Sequence, residues 1–177
     1  MIDVTYFVFG YVVDHRSFNN VIRSVEPTFL GWAVTLACYP PFSSAVTMLI
    51  GSYGGDSAHA YTSPFGILAF NGLALVLFGI YVWATLTLGT RCSNLTNRGI
   101  VGNGPYAFVR HPAYASKNAV WALSVLPLGN PVIYVSVLLW AGIYYLRAIT
   151  EERHLSLDPD YIAYKAQVPW KFIPRVW

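Results

Sequence analysis

The chain has 177 residues, of which 55% are apolar and only 11% charged, with a formal net charge of +3. A soluble domain carries roughly 25% charged residues, so this chain has too little charge to coat a water-facing surface, and lipid has to cover much of it. The small positive excess forms no basic stripe, which argues against a nucleic-acid surface. In chain order, Val4 to Val13 is a short apolar run ended by Asp14. It falls short of the roughly 20 residues a crossing helix needs, so a partial span or an interfacial segment is expected. It has no basic leading region and no small-residue cleavage site, so a secretory signal is not expected. Asp14 to Pro27 is polar. Thr28 to Gly51 is apolar and long enough to span, but Pro40 and Pro41 remove amide donors and should kink or break it. Ser52 to Ser63 is a loop rich in Gly, Ser and Tyr. Pro64 to Gly89 is the cleanest expected span, with proline at a first-turn position. Thr90 to Pro112 is a long polar loop. Ala113 to Leu126 and Val132 to Ile149 are apolar helices joined by Pro127-Leu128-Gly129-Asn130-Pro131, a turn of helix breakers that predicts a tight hairpin. After Thr150 the last helix continues with charge. Asp158-Pro159-Asp160 then leads into an amphipathic piece, Tyr161 to Gln167, and an aromatic, basic end.

The basic residues alternate between connections. Arg16 and Arg23 lie in the first, Arg91, Arg98 and Arg110 in the third, and Arg147, Arg153, Lys165, Lys171 and Arg175 at or beyond the last helix. The loop 52–63 and the hairpin turn have none. The positive-inside rule then puts 14–27, 90–112 and 150–177 in the cytoplasm. The expected fold is all-α: an integral membrane helical bundle of about five transmembrane or membrane-embedded helices, with a C-terminal hairpin and a cytoplasmic cofactor pocket. The whole chain, 1–177, reads as one membrane domain, with a variable N-terminal part, 1–63, and a core, 64–177. Cys38 and Cys92 fall in different expected environments, so no disulfide is expected.

Two polar clusters share the expected cytoplasmic face. One runs Gly104-Pro105-Tyr106-Ala107-Phe108-Val109-Arg110-His111-Pro112-Ala113-Tyr114, and the other Arg147-Ala148-Ile149-Thr150-Glu151-Glu152. Folding the hairpin should bring them together. Arg147 and Glu151, spaced i, i+4, share a helix face. Ionisable groups at a membrane helix end are costly unless paired, and often functional. Taken singly, the bland readings hold weight: Arg110 and Arg147 as snorkelling residues, Glu151 as a solvated helix end. Gly102-Asn103-Gly104 lacks the strand that a dinucleotide loop needs, and the four histidines have no metal-ligand spacing, so no metal is expected.

In combination, Gly-Pro-Tyr, Arg-His-Pro-x-Tyr, a helical hairpin, Arg-x-x-x-Glu-Glu and the tail Tyr161-x-x-Tyr164-x-x-x-Val168-Pro169 resemble the isoprenylcysteine carboxyl methyltransferase family, related to phospholipid N-methyltransferases. The resemblance covers roughly residues 70 to 177. It implies an S-adenosylmethionine-dependent methyltransferase built from membrane helices, whose partners are membrane lipid and a lipophilic or small-molecule methyl acceptor. By position, the resemblance assigns cofactor binding to Arg98, Gly99, Ile100, Val101, Tyr106, His111, Pro112, Ala113, Tyr114 and Glu151, with Arg91 less closely matched. It gives Arg147 the holding of the acceptor, and Arg110 stands with it as the second catalytic candidate. Ala113 replaces a serine of many members, which leaves room for a backbone contact but not a hydroxyl contact. The acceptor stays open between carboxylate, thiol and amine. A carboxylate is already ionised at pH 7, whereas a thiol or amine would call on His111 or Glu151 as base. Two alternatives accompany this reading: an NADPH-dependent sterol-type reductase, suggested by Val168-Pro169-Trp170-Lys171-Phe172-Ile173-Pro174, and a non-catalytic membrane subunit. The adjacent pair Glu151-Glu152 favours the methyl donor over a 2′-phosphate.

Overall fold

A computed structural model describes residues 21–51 and 61–176, with residues 5, 8, 10, 12, 13, 15, 17 and 20 before them. Half of the expected segment Val4–Val13 and most of the loop 52–63 therefore lie outside the described residues. The helices are α1 (Phe29–Leu36), α2 (Phe42–Ile50), α3 (Pro64–Leu88), α4 (Pro112–Val125), α5 (Pro131–Leu155) and α6 (Pro159–Gln167). One two-residue strand pair, which the sequence did not signal, joins β1 (Ser24–Val25) antiparallel to β2 (Thr96–Asn97), with Ser24 opposite Asn97.

The helix starts are written locally. Thr28, Ser63, Asn130 and Asp158 each cap a helix by accepting a backbone N–H bond. Proline opens α3, α4, α5 and α6, at positions where its missing N–H costs nothing. Gly89 (φ +54°) ends α3 in the left-handed region. The apolar stretch 28–51 is broken as expected, into α1 and α2, with Pro40 and Pro41 between them.

Two of the described helices are long and apolar enough to cross a membrane, Pro64–Arg91 and Pro131–Leu155. The expectation of about five spans is thus met by two full-length helices, while α1, α2 and α4 have 8, 9 and 14 residues. Proline explains the shortfall, dividing the first segment at Pro40-Pro41 and limiting α4 between Pro112 and Pro127. Most of α3 is uncovered by the protein: Phe65, Leu68 and Leu75 are 81%, 72% and 74% exposed. An apolar helix exposed in this way needs another apolar phase around it.

α3 packs along α4, α4 against α5, and α1 against α5. Tyr61 donates to the carbonyl of Leu123 (2.8 Å) and Trp140 to that of Gly51 (2.9 Å), tying N-terminal segments to the hairpin. Beyond α5 the chain folds back. Tyr106, Tyr161, Tyr164 and Val168 make a buried cluster with Ala84, against which Ile100, Val101 and Leu155 pack. That cluster, which seats α6 and the loop 89–111 against the end of α3, forms the floor of the site.

Candidate functional site

The loop between α3 and α4 bends back over the end of the bundle because glycine permits it. Gly99 and Gly104 have φ of +96° and +57°, and a Cβ on Gly104 would lie 2.7 Å from Thr87 Oγ1. The loop is pinned at both ends. Asn97 donates to Asp158 (2.8 Å) and accepts from the Gly99 amide (2.9 Å). The amides of Arg110 and His111 donate to the carbonyls of Trp170 and Lys171, each at 2.9 Å, so the C-terminal tail is strapped to the start of α4.

The loop, the starts of α4 and α6, and the C-terminal turns of α5 surround a cavity of about 310 Å³, at the lower end of the size of small-molecule sites. Arg98, Gly99, Ile100, Val101, Tyr106, Arg110, His111, Ala113, Tyr114, Arg147 and Glu151 all line it, as does Arg91. Of the residues singled out from sequence, only Pro112 lies elsewhere. As the first residue of α4 it faces an adjoining apolar groove of about 770 Å³. The two spaces share Tyr114 and Tyr144 in their walls.

Arg147 is buried, 3% exposed, and boxed by aromatic rings. Its guanidinium carbon lies 5.4, 5.1 and 5.8 Å from the ring centres of Tyr39, Tyr114 and Tyr144. Nη2 donates to Asn94 Oδ1 and to the Tyr39 hydroxyl (3.3 Å), and Nε has no protein partner among the described residues. One turn on, Glu151 accepts the Tyr114 hydroxyl on Oε2 at 2.9 Å. The Tyr161 hydroxyl is likewise buried without a protein partner. An unsatisfied buried donor is costly, and both of these belong to residues that line the cavity.

Arg110, the second catalytic candidate, lines the cavity with its guanidinium engaged by neighbouring groups. Its Nε and Nη2 donate to Glu152 Oε1 (2.7 Å) and Oε2 (3.4 Å), and Nη1 donates to the Val168 carbonyl (2.8 Å). His111 Nε2 lies 3.1 Å from the same Glu152 oxygen, and Lys171 Nζ 3.6 Å from the other. Glu152 is therefore a buried counter-ion for the loop and the tail, and of the two adjacent glutamates only Glu151 lines the cavity. The helix explains the division, because neighbouring residues point about 100° apart. Arg98 lines the cavity but is held from behind by Thr96 (3.0 Å) and Asn20. Burial, reinforced by the charge of Glu151, pushes the Tyr106 phenol well above its ordinary range, so it stays neutral.

Sequence reasoning missed Tyr39, Asn94, Lys117 and Tyr144 around Arg147, and Tyr161 and Tyr164 as cavity walls. The repeated Tyr-x-x-Tyr of the tail was the one available signal. Tyr39 sits at the break after α1, in a region whose sequence carried none. Cys38 and Cys92, expected in separate environments, both line this same cavity and are not joined in a disulfide.

The family model described as "Isoprenylcysteine carboxyl methyltransferase (ICMT) family" matches residues 67–157. Among curated proteins, none matches the chain.

Proposed function

The chain belongs to the isoprenylcysteine carboxyl methyltransferase family and is a membrane methyltransferase; from that premise we propose that it uses S-adenosylmethionine to methylate a carboxylate on a lipophilic acceptor, at the cytoplasmic face. One observation carries the reading. Residues from the loop, from α4 and from the end of α5, up to 53 positions apart between Arg98 and Glu151, line a single cavity beside an apolar groove.

The cavity walls suit that methyl donor. Arg98 and Arg91 offer positive charge to its carboxylate. Glu151 accepts from its ammonium or ribose hydroxyls. Tyr106 and Tyr114 offer aromatic faces to the adenine or the sulfonium. The Tyr161 hydroxyl supplies a donor without a partner among the described residues. S-adenosylmethionine, when bound, brings an activated methyl group, and the protein's part is positioning, which can supply much of the rate of an in-line displacement. Arg147 holds and orients the acceptor carboxylate. Its own place is fixed by Tyr39, Asn94 and the three rings. Arg110 acts through Glu152 and Val168, fixing the loop and the tail, as a positioning residue. The groove, walled by Leu77, Ile80, Phe108, Ala115, Ala119 and Gly142, receives the acceptor's apolar chain.

The purified protein in detergent should bind S-adenosylmethionine by calorimetry, and Glu151→Ala should weaken binding at least tenfold. The same protein should gain thermal stability with S-adenosylmethionine and none with NADPH. Unchanged affinity in Glu151→Ala, or a shift produced by NADPH alone, removes this reading of the site.

A further inference from the structure

Tyr39 stands in the break between α1 and α2, ahead of the residues 67–157 that carry the family match. Its backbone is pinned on both sides: its amide donates to the Leu36 carbonyl and its carbonyl accepts from the Ser43 amide, each at 2.9 Å. Its ring lies against Arg147, with 5.4 Å from ring centre to guanidinium carbon, and it lines the cavity together with Arg147 and Asn94. The bonds among these three side chains fix which atom donates to which. Arg147 Nη2 donates to Asn94 Oδ1. That sets the orientation of the amide and turns its Nδ2 to donate to the Tyr39 hydroxyl oxygen at 2.7 Å. The second proton of Arg147 Nη2 goes to the same oxygen, at 3.3 Å. A phenol oxygen that accepts twice still has its own proton to give, and no described residue accepts it. Beside it the Nε of Arg147 is buried and likewise without a partner among the described residues.

We propose that Tyr39 is a substrate-binding residue: its hydroxyl donates to an oxygen of the acceptor that Arg147 holds, so the chain ahead of the family-matched core supplies one of the acceptor's contacts. The proposal rests on the methyltransferase reading and adds a residue to it. Arg147 polarises the phenol it donates to, which makes the remaining proton a stronger donor. A hydrogen bond to an ionised oxygen is stronger again. Asn94 keeps the arrangement one-way, because its amide gives to Tyr39 and leaves that proton nothing in the triad to accept it. The phenol holds its proton throughout the reaction. A carboxylate oxygen bonds to the methyl carbon as the carbon–sulfur bond breaks, the bonding pair leaves with sulfur, and no proton moves. The acceptor's negative charge is already fading in the transition state, so the bond from Tyr39 is stronger before the chemical step than during it. Its removal should therefore appear in KM more than in kcat.

The test uses the detergent-purified full chain, its Tyr39→Phe variant, and the chain with 3-fluorotyrosine at position 39. Calorimetry follows the binding of N-acetyl-S-farnesylcysteine, a lipophilic carboxylate, and of S-adenosylmethionine in parallel, at about pH 6.5, where the phenol stays neutral. Tyr39→Phe keeps the ring on Arg147 and removes the hydroxyl. Fluorine makes the hydroxyl a better donor and a poorer acceptor, so it separates giving to the substrate from receiving from Arg147 and Asn94. Tyr39→Phe should lose about tenfold in acid affinity and keep its S-adenosylmethionine affinity. In turnover it should raise KM for the acid with kcat within about twofold. The fluorinated protein should bind the acid at least as tightly as the wild type. Unchanged acid affinity in Tyr39→Phe overturns the proposal. So does weaker acid binding in the fluorinated protein, which would show that the hydroxyl serves only to receive from Arg147; this arm decides alone if Tyr39→Phe fails to fold. If the acid binds in a Tyr39-dependent way but S-adenosylmethionine does not bind, the contact stands and the methyl-donor reading falls. If the methyl donor binds through Glu151 and the acid ignores Tyr39, the reverse holds.

Discussion

Glu152 gathers three basic side chains, Arg110, His111 and Lys171, at 2.7, 3.1 and 3.6 Å, and is itself buried. Breaking a buried ion pair from one side strands a charge and costs about 3–5 kcal/mol. Glu152→Gln should therefore lower the unfolding temperature sharply and loosen the tail, read as faster proteolysis after Val168. Tyr161 makes the opposite case. Its hydroxyl has no partner among the described residues, so Tyr161→Phe should leave the unfolding temperature unchanged. If that hydroxyl binds the methyl donor, affinity for S-adenosylmethionine should fall several-fold, since one hydrogen bond is worth about 1 kcal/mol. A variant less stable but equal in affinity would show that the hydroxyl serves the fold.

α6 and the strand pair β1–β2 are tied through two carboxylates, Asp158 and Asp160, the second accepting from Arg23 at 2.8 Å. Asp158 caps α6 by accepting from the Asp160 amide (3.0 Å), and it also accepts from Asn97 (2.8 Å) and Arg23 (3.1 Å). Burial pushes the Asp158 carboxyl upward, but the bonds from Asn97, the Asp160 amide and Arg23 outweigh it and hold the group below its ordinary range. A carboxyl lowered in the folded state stabilises fully above its unfolded value of about 3.9, and that contribution is lost as pH falls through the lower folded value. Asp158→Asn keeps a capping oxygen but cannot titrate. Its unfolding temperature should fall less than that of the wild type between about pH 5 and pH 2. Because α6 carries Tyr161 and Tyr164 into the cavity wall, Asp158→Ala should also weaken S-adenosylmethionine binding. Its stability should drop by about 1 kcal/mol for the cap alone.

Across the whole molecule, α3 and α5, each of 25 residues, reach about 37 Å at 1.5 Å per residue, enough to cross a hydrocarbon core of about 30 Å. The hairpin turn at Leu126–Leu128 then lies at one face, and the cavity with α6 at the other. Basic residues concentrate at the cavity end, and the orientation proposed above from the positive-inside rule puts that end in the cytoplasm. In a background without Cys38 and Cys92, Leu128→Cys should react with a membrane-impermeant maleimide from outside the cell. Leu157→Cys, 73% exposed at the other end of α5, should react only after permeabilisation. Labelling of both from one side would end the spanning arrangement.

Much of this was legible along the chain. Caps and prolines fixed where α3, α5 and α6 begin, since those signals act within a few residues of themselves. Lack of charge settled that lipid must replace water, because solvation is a matter of composition. The motifs carried the family and most of the cavity wall. What the chain could not disclose depends on contacts between distant residues. Glu151 and Glu152 are neighbours of the same type, yet only tertiary packing gives one to the cavity and the other to Arg110. Tyr39 reaches Arg147 from 108 positions away. Whether Lys117 would reach outward to the interface or inward to Tyr144 was likewise decided by α5, which packs beside α4 and offers that hydroxyl.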